Sequence, residues 1–473
     1  DDEYNGAFVF KNINPGTYSI TYSHPDYKDF TESVTVKANA VTYPTPQISQ
    51  STELIAVQGH FAYDLKSTLS DEGVYTLSFK STGNVDNGKI IITNKSTGAT
   101  ETITIGAIVK GDNSTTISAS QLGADATFSW AVALDNPKST ATSLIHTYSG
   151  AAYSNGTYYA NGGVAIDLDH ESPNYGTIYT STGYAQGIQA INPDLSLKGS
   201  KILGSNFMSN NNSSPFRIAT SNGKLYISDW SDEHGGVWVY NPSAATPSVA
   251  NVFKGTYGSG GVITNGSTVT GGGTTGVTFS GEGSNRKMYV FCEDYPSSGG
   301  NIMLQYNLGT ADTWSAAPSA SFSQIAGSTL MANTNVEVLA HSYGVFCAQT
   351  RYSGSNTSGV PSFVHVTADG TVNFNSGTTL QTHDGSNFGA MAIYESTMAV
   401  ADGNGKAIIY NLSYSGTTPV LSKQYEIALP STTNVCQMAF DPAGNLYVHS
   451  KQQGLLVYAI KNPARSTITK AAS

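Results

Sequence analysis

Met438-Ala-Phe-Asp-Pro-Ala-Gly-Asn-Leu-Tyr-Val-His-Ser450, followed by Gly454-Leu-Leu-Val-Tyr-Ala-Ile-Lys-Asn-Pro463, is a near copy of an earlier stretch. That stretch is Pro215-Phe-Arg-Ile-Ala-Thr-Ser-Asn-Gly-Lys-Leu-Tyr-Ile-Ser-Asp-Trp230, followed by Gly236-Val-Trp-Val-Tyr-Asn-Pro242. Both read as short apolar strands separated by Gly, Asn or Pro turns, with a tyrosine on the second strand. Weaker copies put that second-strand anchor at Tyr179, Tyr289, Val345 and Ala399. Successive anchors from Tyr179 to Tyr447 are spaced 47, 63, 56, 54 and 48 residues apart. Four short strands per unit of about 50 residues is the period of a propeller blade. Six units fit residues 138–473, which predicts a six-bladed β-propeller. Seven blades is the alternative, because the insert at 255–275 has room for further strands. Leu144–Tyr148 or residues 466–473 are the two candidates for closing the last blade.

Composition agrees with an all-β chain. Only 12% of the 473 residues are charged, and Gly (49), Tyr (28) and Pro (17) are abundant. Average usage is about 25% charged, and a helical protein needs more Glu, Lys, Leu and Ala. A hydrophobic content of 39% is enough for packed cores. The net charge of −10 without a basic run argues against phosphate-mediated nucleic-acid binding. It also leaves no polybasic membrane patch. No run of 18 apolar residues is present, so no bilayer-spanning helix is expected. No signal peptide is read, which suits a mature form. Cys292, Cys347 and Cys436 each sit in apolar runs and are read as small buried hydrophobes.

Two smaller regions precede the repeats. In residues 1–49, strands are expected at Ala7–Phe10, Thr17–Tyr22 and Ser33–Val36, with an Asn14-Pro15-Gly16 turn and a stiff Tyr43–Pro46 linker. In residues 50–137, strands are expected at Glu53–Val57, Val74–Lys80, Lys89–Thr93, Glu101–Ile105, Thr115–Ile117 and Phe128–Ala133. Asn87-Gly88 is read as a hairpin turn, and the strand density suggests an immunoglobulin-like sandwich. The fold class is therefore all-β: small β-sandwich modules followed by a six-bladed β-propeller.

Blade geometry sorts the loops. Turns between first and second strands are short, as at Ser221-Asn222-Gly223 and Asp441-Pro442-Ala443-Gly444. Loops between second and third strands, and between blades, are long and share the opposite face, where scaffolds carry function. That face holds Tyr184, Trp230, Asp232, Glu233, His234, Glu293, Asp294, Tyr295, Arg351, Tyr352, Asp402 and Lys451. Aromatics beside carboxylates and Arg suit a sugar or peptide. No catalytic residue is assigned. Asp167, Asp169 and Glu171 offer oxygens for Ca²⁺, but lack the Gly and spacing of a calcium loop, and also read as a strand-end turn. No other cofactor is expected. Gly83-x4-Gly88-Lys89 and Gly271-x-Gly273-x-x-Gly276 imitate nucleotide loops without the strand–loop–helix context. His341, His383 and His449 share no local motif.

Phe8, Phe10, Asn12, Ile13, Pro15, Gly16, Tyr18, His24-Pro25 and Tyr27 resemble the second half of the carboxypeptidase regulatory-like (transthyretin-like) module. The first half is absent, so either the chain is trimmed or the small sheet has an open edge able to pair with a partner. The repeats resemble NHL and SMP-30-type propellers. The whole order resembles surface lipoproteins of Sus-type outer-membrane nutrient-uptake systems, and Asp1-Asp2-Glu3 resembles their acidic export signal. That resemblance implies a lipidated Cys before Asp1, an extracellular position on the outer membrane or secretion, and an outer-membrane transporter with its lid lipoprotein as partners.

Two function classes follow. The first is a non-catalytic accessory protein whose propeller face binds glycan or peptide or docks to the transporter. The alternative is a propeller hydrolase or lyase acting on polysaccharide or a lactone. A glycosidase propeller needs two carboxylates about 5–10 Å apart, with Asp229, Asp232, Glu293, Asp294 and Asp402 as candidates by face.

Overall fold

The computed structural model describes residues 10, 13–24, 27–38, 40–42, 44, 55–119, 127–148, 162–181, 187–199, 202, 217–229, 236–245, 248–252, 263–265, 268–270, 274–292, 302–313, 334–352, 363–376, 390–402, 405–430, 435–450 and 453–472. Among these the chain is all β, and no helix is long and apolar enough to cross a membrane.

Among the described residues, six antiparallel meanders follow one another from residue 163 to 459. The first is Gly163–Ile166, Ile178–Ser181 and Ile188–Ile191. The second is Arg217–Ser221, Lys224–Asp229, Gly236–Tyr240 and Val249–Asn251. The third is Thr274–Ser280, Lys287–Cys292 and Ile302–Asn307. The fourth is Thr334–His341, Gly344–Tyr352, Phe363–Thr367 and Val372–Asn375. The fifth is Met391–Tyr394, Thr397–Ala401, Lys406–Ser415 and Thr418–Ala428. The sixth is Val435–Phe440, Leu446–Ser450 and Gly454–Ala459, completed by Ser143–Tyr148 from the start of the region. All six predicted anchors lie on second strands and are buried.

The sheets form a closed ring. First strands of successive sheets pack on each other, and the sixth sheet's packs back on the first's. The apolar cores sit between neighbouring sheets. Tyr447, Leu455 and Val457 of the sixth pack on Val164, Ile166 and Ile178 of the first. Tyr179 and Ile188 of the first pack on Leu225, Ile227 and Trp238 of the second, and so on round the ring. This is the β-propeller arrangement. Burial on both faces explains why second strands such as Leu446-Tyr-Val-His-Ser450 are apolar runs rather than alternating ones. Closure comes from Leu144–Tyr148, whose Tyr148 pairs with Leu455. The described strands of the 255–275 insert, Ile263–Asn265 and Thr268–Thr270, form a two-stranded hairpin and part of no meander.

Residues 465–470 do something else. Arg465–Lys470 pairs with Phe128–Asn136, giving the four-stranded sheet order Arg465–Lys470, Phe128–Asn136, Val85–Asn94, Thr100–Ile108. This sheet shares one core with the sheet of Ala62–Leu69, Val74–Ser81 and Gly111–Ser118. Within the region 138–473, then, this last strand leaves the ring and crosses back to Phe128–Asn136. Its Thr467 Oγ1 takes a hydrogen bond from Asn136 Nδ2 at 2.7 Å, and its Thr469 hydroxyl donates to the Ala62 carbonyl at 2.8 Å.

Three local readings change. Asn87-Gly88 lies inside a strand as a bulge rather than a hairpin turn. A Cβ on Gly88 would run into Ile108, so the glycine serves close backbone approach there. Residues 55–57 are not strand; Ile55 instead bonds Thr140. Ala62–Leu69, with its charged outer face, was not expected as a strand. At the N-terminus, Gly16–His24 pairs with Tyr27–Val36 as a hairpin, while residues 7–9 of the expected first strand lie outside the described residues. Cys292, Cys347 and Cys436 are buried and in no disulfide among the described residues, as expected.

Candidate functional site

Register places the starts of first strands beside the ends of second strands. Arg217 pairs with Ser228, Thr274 with Cys292 and Val435 with Ser450. The ends of second strands therefore share one face with the loops between sheets, as the sequence predicts. Arg351 and Tyr352 end the second strand of the fourth sheet, and Asp402 follows that of the fifth. Asp402 Oδ1 accepts the Lys406 N–H at 2.9 Å and closes its own hairpin. Tyr184, Trp230, Asp232, Glu233, His234, Glu293, Asp294, Tyr295 and Lys451 lie outside the described residues.

What the ring does bring together is a polar cluster on its axis. Arg217, Glu337 and Gln437 stand on the first strands of the second, fourth and sixth sheets, and His449 stands on the sixth sheet's second strand. They are 1%, 4%, 9% and 0% exposed. Gln437 Oε1 accepts the Val164 N–H at 3.0 Å and the Ile218 N–H at 3.4 Å, while its Nε2 donates to the Ile218 carbonyl at 3.0 Å. One side chain thus ties three sheets together. Glu337 Oε2 accepts the Met391 N–H of the fifth sheet at 3.3 Å. Arg217 Nη1 donates to the Gly162 carbonyl at 3.4 Å.

The electrostatics follow from burial. Desolvation pushes the Glu337 carboxyl up to about 8, opposed by the Arg217 charge, the Met391 N–H and the Gln437 amide. The His449 imidazole is driven down to about 3 by burial and by Arg217's charge, so it is neutral. Gly162 and Gly163 make room: a Cβ on Gly162 would strike the His449 ring, and one on Gly163 would strike Gln437 Oε1. The cluster is an inward-facing plug held by neighbouring strands. Sequence reading missed it, although one trace was present: a lone polar residue in each of the apolar runs Phe-Arg217-Ile-Ala, Val-Glu337-Val-Leu and Cys-Gln437-Met-Ala.

The acidic cluster turns out to be a turn between the first sheet's first two strands. Asp167 is buried, with Oδ2 accepting the Ser172 hydroxyl at 2.6 Å and Oδ1 the Asp169 N–H at 3.1 Å. Asp169 Oδ1 in turn accepts the Glu171 N–H at 3.0 Å. Asp167, Asp169 and Glu171 do not converge, and among the described residues no group of three His, Cys, Asp or Glu could hold a metal ion. His341 and His449 lie at opposite ends of their strands' sheets and do not meet; His383 lies outside the described residues.

The short-turn face carries the sandwich. Phe61 packs edge-on against Tyr175 at 6.1 Å and shares a small core with Ala443. Asn445 Oδ1 accepts the Gly59 N–H at 3.0 Å, and its Nδ2 donates to the Gly59 carbonyl at 2.9 Å. The sandwich is thus seated on the turns of the first and sixth sheets.

No protein-family model matches the chain, and no curated protein matches it. Several solved structures show a loose likeness to the chain. A structural-genomics protein of unknown function from Bacteroides thetaiotaomicron is 10% identical, covering 85% of this chain and 98% of its own, with a TM-score of 0.41. A streptogramin B lyase is 9% identical, covering 67% and 97%, with a TM-score of 0.40. A gluconolactonase from Xanthomonas campestris is 11% identical, covering 70% and 90%, with a TM-score of 0.39. At these TM-scores the likeness carries no argument, and the fold and function rest on this chain's own residues.

Proposed function

We propose that the protein is a non-catalytic surface accessory protein in which a six-bladed propeller presents its long-loop face to glycan or peptide. The observation that carries this reading is the seating of the sandwich. Through Phe61, Tyr175, Gly59 and Asn445 it occupies the short-turn face, so the long loops point away from the stalk. The crossing-back strand Arg465–Lys470 makes the attachment double, with chain entering and leaving the ring through one sandwich.

In this reading the sandwich is immunoglobulin-like and the hairpin of residues 16–36 is the remnant of a carboxypeptidase regulatory-like module. The protein sits on the outer membrane of a Sus-type uptake system through a lipid anchor ahead of Asp1, beside a transporter and its lid lipoprotein. Ca²⁺ has no assigned role. A glycosidase would need a reachable carboxylate pair. Of the candidates, Asp229 is buried and Asp402 closes its own hairpin, while Asp232, Glu293 and Asp294 lie outside the described residues.

The test is binding of the full chain to glycan and peptide arrays, with Trp230→Ala and Tyr295→Ala variants. Binding lost in those variants without turnover of the ligand is the expected result. Release of cleaved product would overturn the non-catalytic assignment.

A further inference from the structure

Across the ring from the seated sandwich, the short-turn face bears a shallow groove of about 470 Å³ between the third and fourth sheets. Its volume is in the range of small-ligand sites, roughly 300–1,000 Å³. Phe279, Ser280, Tyr289, His341, Ser342 and Tyr343 line it. None of its described lining residues is charged.

The wall is built around a strained tyrosine. In the turn His341-Ser342-Tyr343-Gly344, Tyr343 has φ of +70°, in the left-handed region. The corresponding turn of the second sheet uses Asn222-Gly223, the residue types that tolerate such backbone. A bulky aromatic there costs stability, and strain of this kind clusters at ligand sites. What the strain achieves is display: Tyr343 is 56% exposed while its ring edge abuts Tyr414 at 5.0 Å. Tyr414 lies nearly parallel to His341, at 13° and 5.8 Å, with the two side chains hydrogen-bonded at 2.8 Å from Oη to Nδ1.

Burial lowers the His341 pKa, so the ring is neutral, and burial raises the Tyr414 phenol to about 12, keeping its proton. The hydrogen bond shared by His341 Nδ1 and the Tyr414 hydroxyl ties the two rings together, and the uncharged imidazole lines the groove. Ser280 and Tyr289, 3.4 Å apart through their hydroxyls, stand on the facing sheet.

An exposed ring braced from behind, an uncharged imidazole and hydroxyls, and no charge is the chemistry that recognises an uncharged polyol. The ring covers C–H faces while the polar groups take directed hydrogen bonds. A charged peptide or nucleotide would find no counter-ion on the lining. We propose that this groove is a binding site for a neutral oligosaccharide, separate from the long-loop face. It does not depend on what the long loops bind.

Tyr343→Gly is the informative variant, because glycine accepts φ of +70° without strain and should leave the fold intact or firmer. The full chain is titrated calorimetrically with neutral gluco-, manno-, xylo- and galacto-oligosaccharides of two to six units. Expected is binding by the parent chain, a fall in affinity of about fivefold to tenfold in Tyr343→Gly with Tm not lowered, and retention in Tyr343→Phe. Absence of neutral-sugar binding at millimolar concentration overturns the inference. So does sugar binding that Tyr343→Gly leaves intact and Trp230→Ala removes, which would assign the ligand to the long-loop face and spare the proposed function.

Discussion

Gln437 accepts the backbone N–H of Val164 at 3.0 Å, joining the last sheet of the ring to the first at the axis. The same side chain bonds both backbone groups of Ile218 in the second sheet. Ring closure therefore has an outer element, the strand Ser143–Tyr148, and an inner one, a single amide. Replacing Gln437 by Leu leaves two buried N–H groups and a carbonyl unsatisfied. A loss of about 2–4 kcal/mol is expected, read as a lower denaturant midpoint. Gly163→Ala, which drives a methyl into Gln437 Oε1, should act in the same direction. Equal midpoints in the parent and Gln437→Leu would show that the amide does not hold the ring.

The axial cluster makes stability depend on pH in two opposed ways. Glu337 has its folded pKa raised to about 8, from an ordinary value near 4.5. Its contribution is fully present below the unfolded value and lost as pH rises through 8, because the folded state holds the proton more tightly. His449 has its folded pKa lowered to about 3 from 6.5, so the unfolded chain binds the extra proton and stability falls as pH drops from 6.5 towards 3. Thermal melts from pH 4 to 9 should peak between these limbs. Glu337→Gln should flatten the alkaline limb and His449→Phe the acid limb; unchanged limbs in both variants would refute these assignments.

The last strand belongs to the sandwich, so shortening the chain at 464 should damage the N-terminal half rather than the ring. Removing Arg465–Lys470 uncovers the edge of Phe128–Asn136, takes Thr467 from Asn136, and exposes Val132 and Leu134. An unpaired apolar edge invites aggregation. Limited proteolysis should cut within residues 62–136 while the 163–459 region stays resistant. Early cleavage in the ring instead would assign that strand a wider role.

Asn445→Ala breaks both hydrogen bonds to Gly59 and one to the Asp441 carboxylate. About 1–3 kcal/mol should be lost from the seating of sandwich on ring. Hydrogen exchange should then speed up at residues 55–63 with the inner strands unaffected. Uniform acceleration through the ring would mean that the two parts unfold as one unit.

Much of the fold is legible locally. The tyrosine-anchored repeat can be read because each meander is built from residues close in sequence, and all six anchors land where the spacing puts them. The face bearing the long loops can be read for the same reason, since strand polarity alone assigns it. Asn87-Gly88 misled because a glycine that permits a hairpin also permits a bulge, and only the neighbour Ile108 decides between them. The axial cluster escaped notice because Arg217, Glu337 and Gln437 are single residues separated by about a hundred positions each. The groove escaped because Ser342-Tyr343 looks like an ordinary short turn until Tyr414, from another sheet, is packed behind it.

The sequence by itself determined the all-β class, the repeat, and which ends of the strands share a face, since turns and strand periodicity are local properties. Only the tertiary structure decided that Ser143–Tyr148 closes the ring while Arg465–Lys470 returns to the sandwich. Both segments are short, edge-competent strands. The choice between them rests on pairing with partners hundreds of residues away, where the buried neighbours, and not the strand's own residues, supply the free energy.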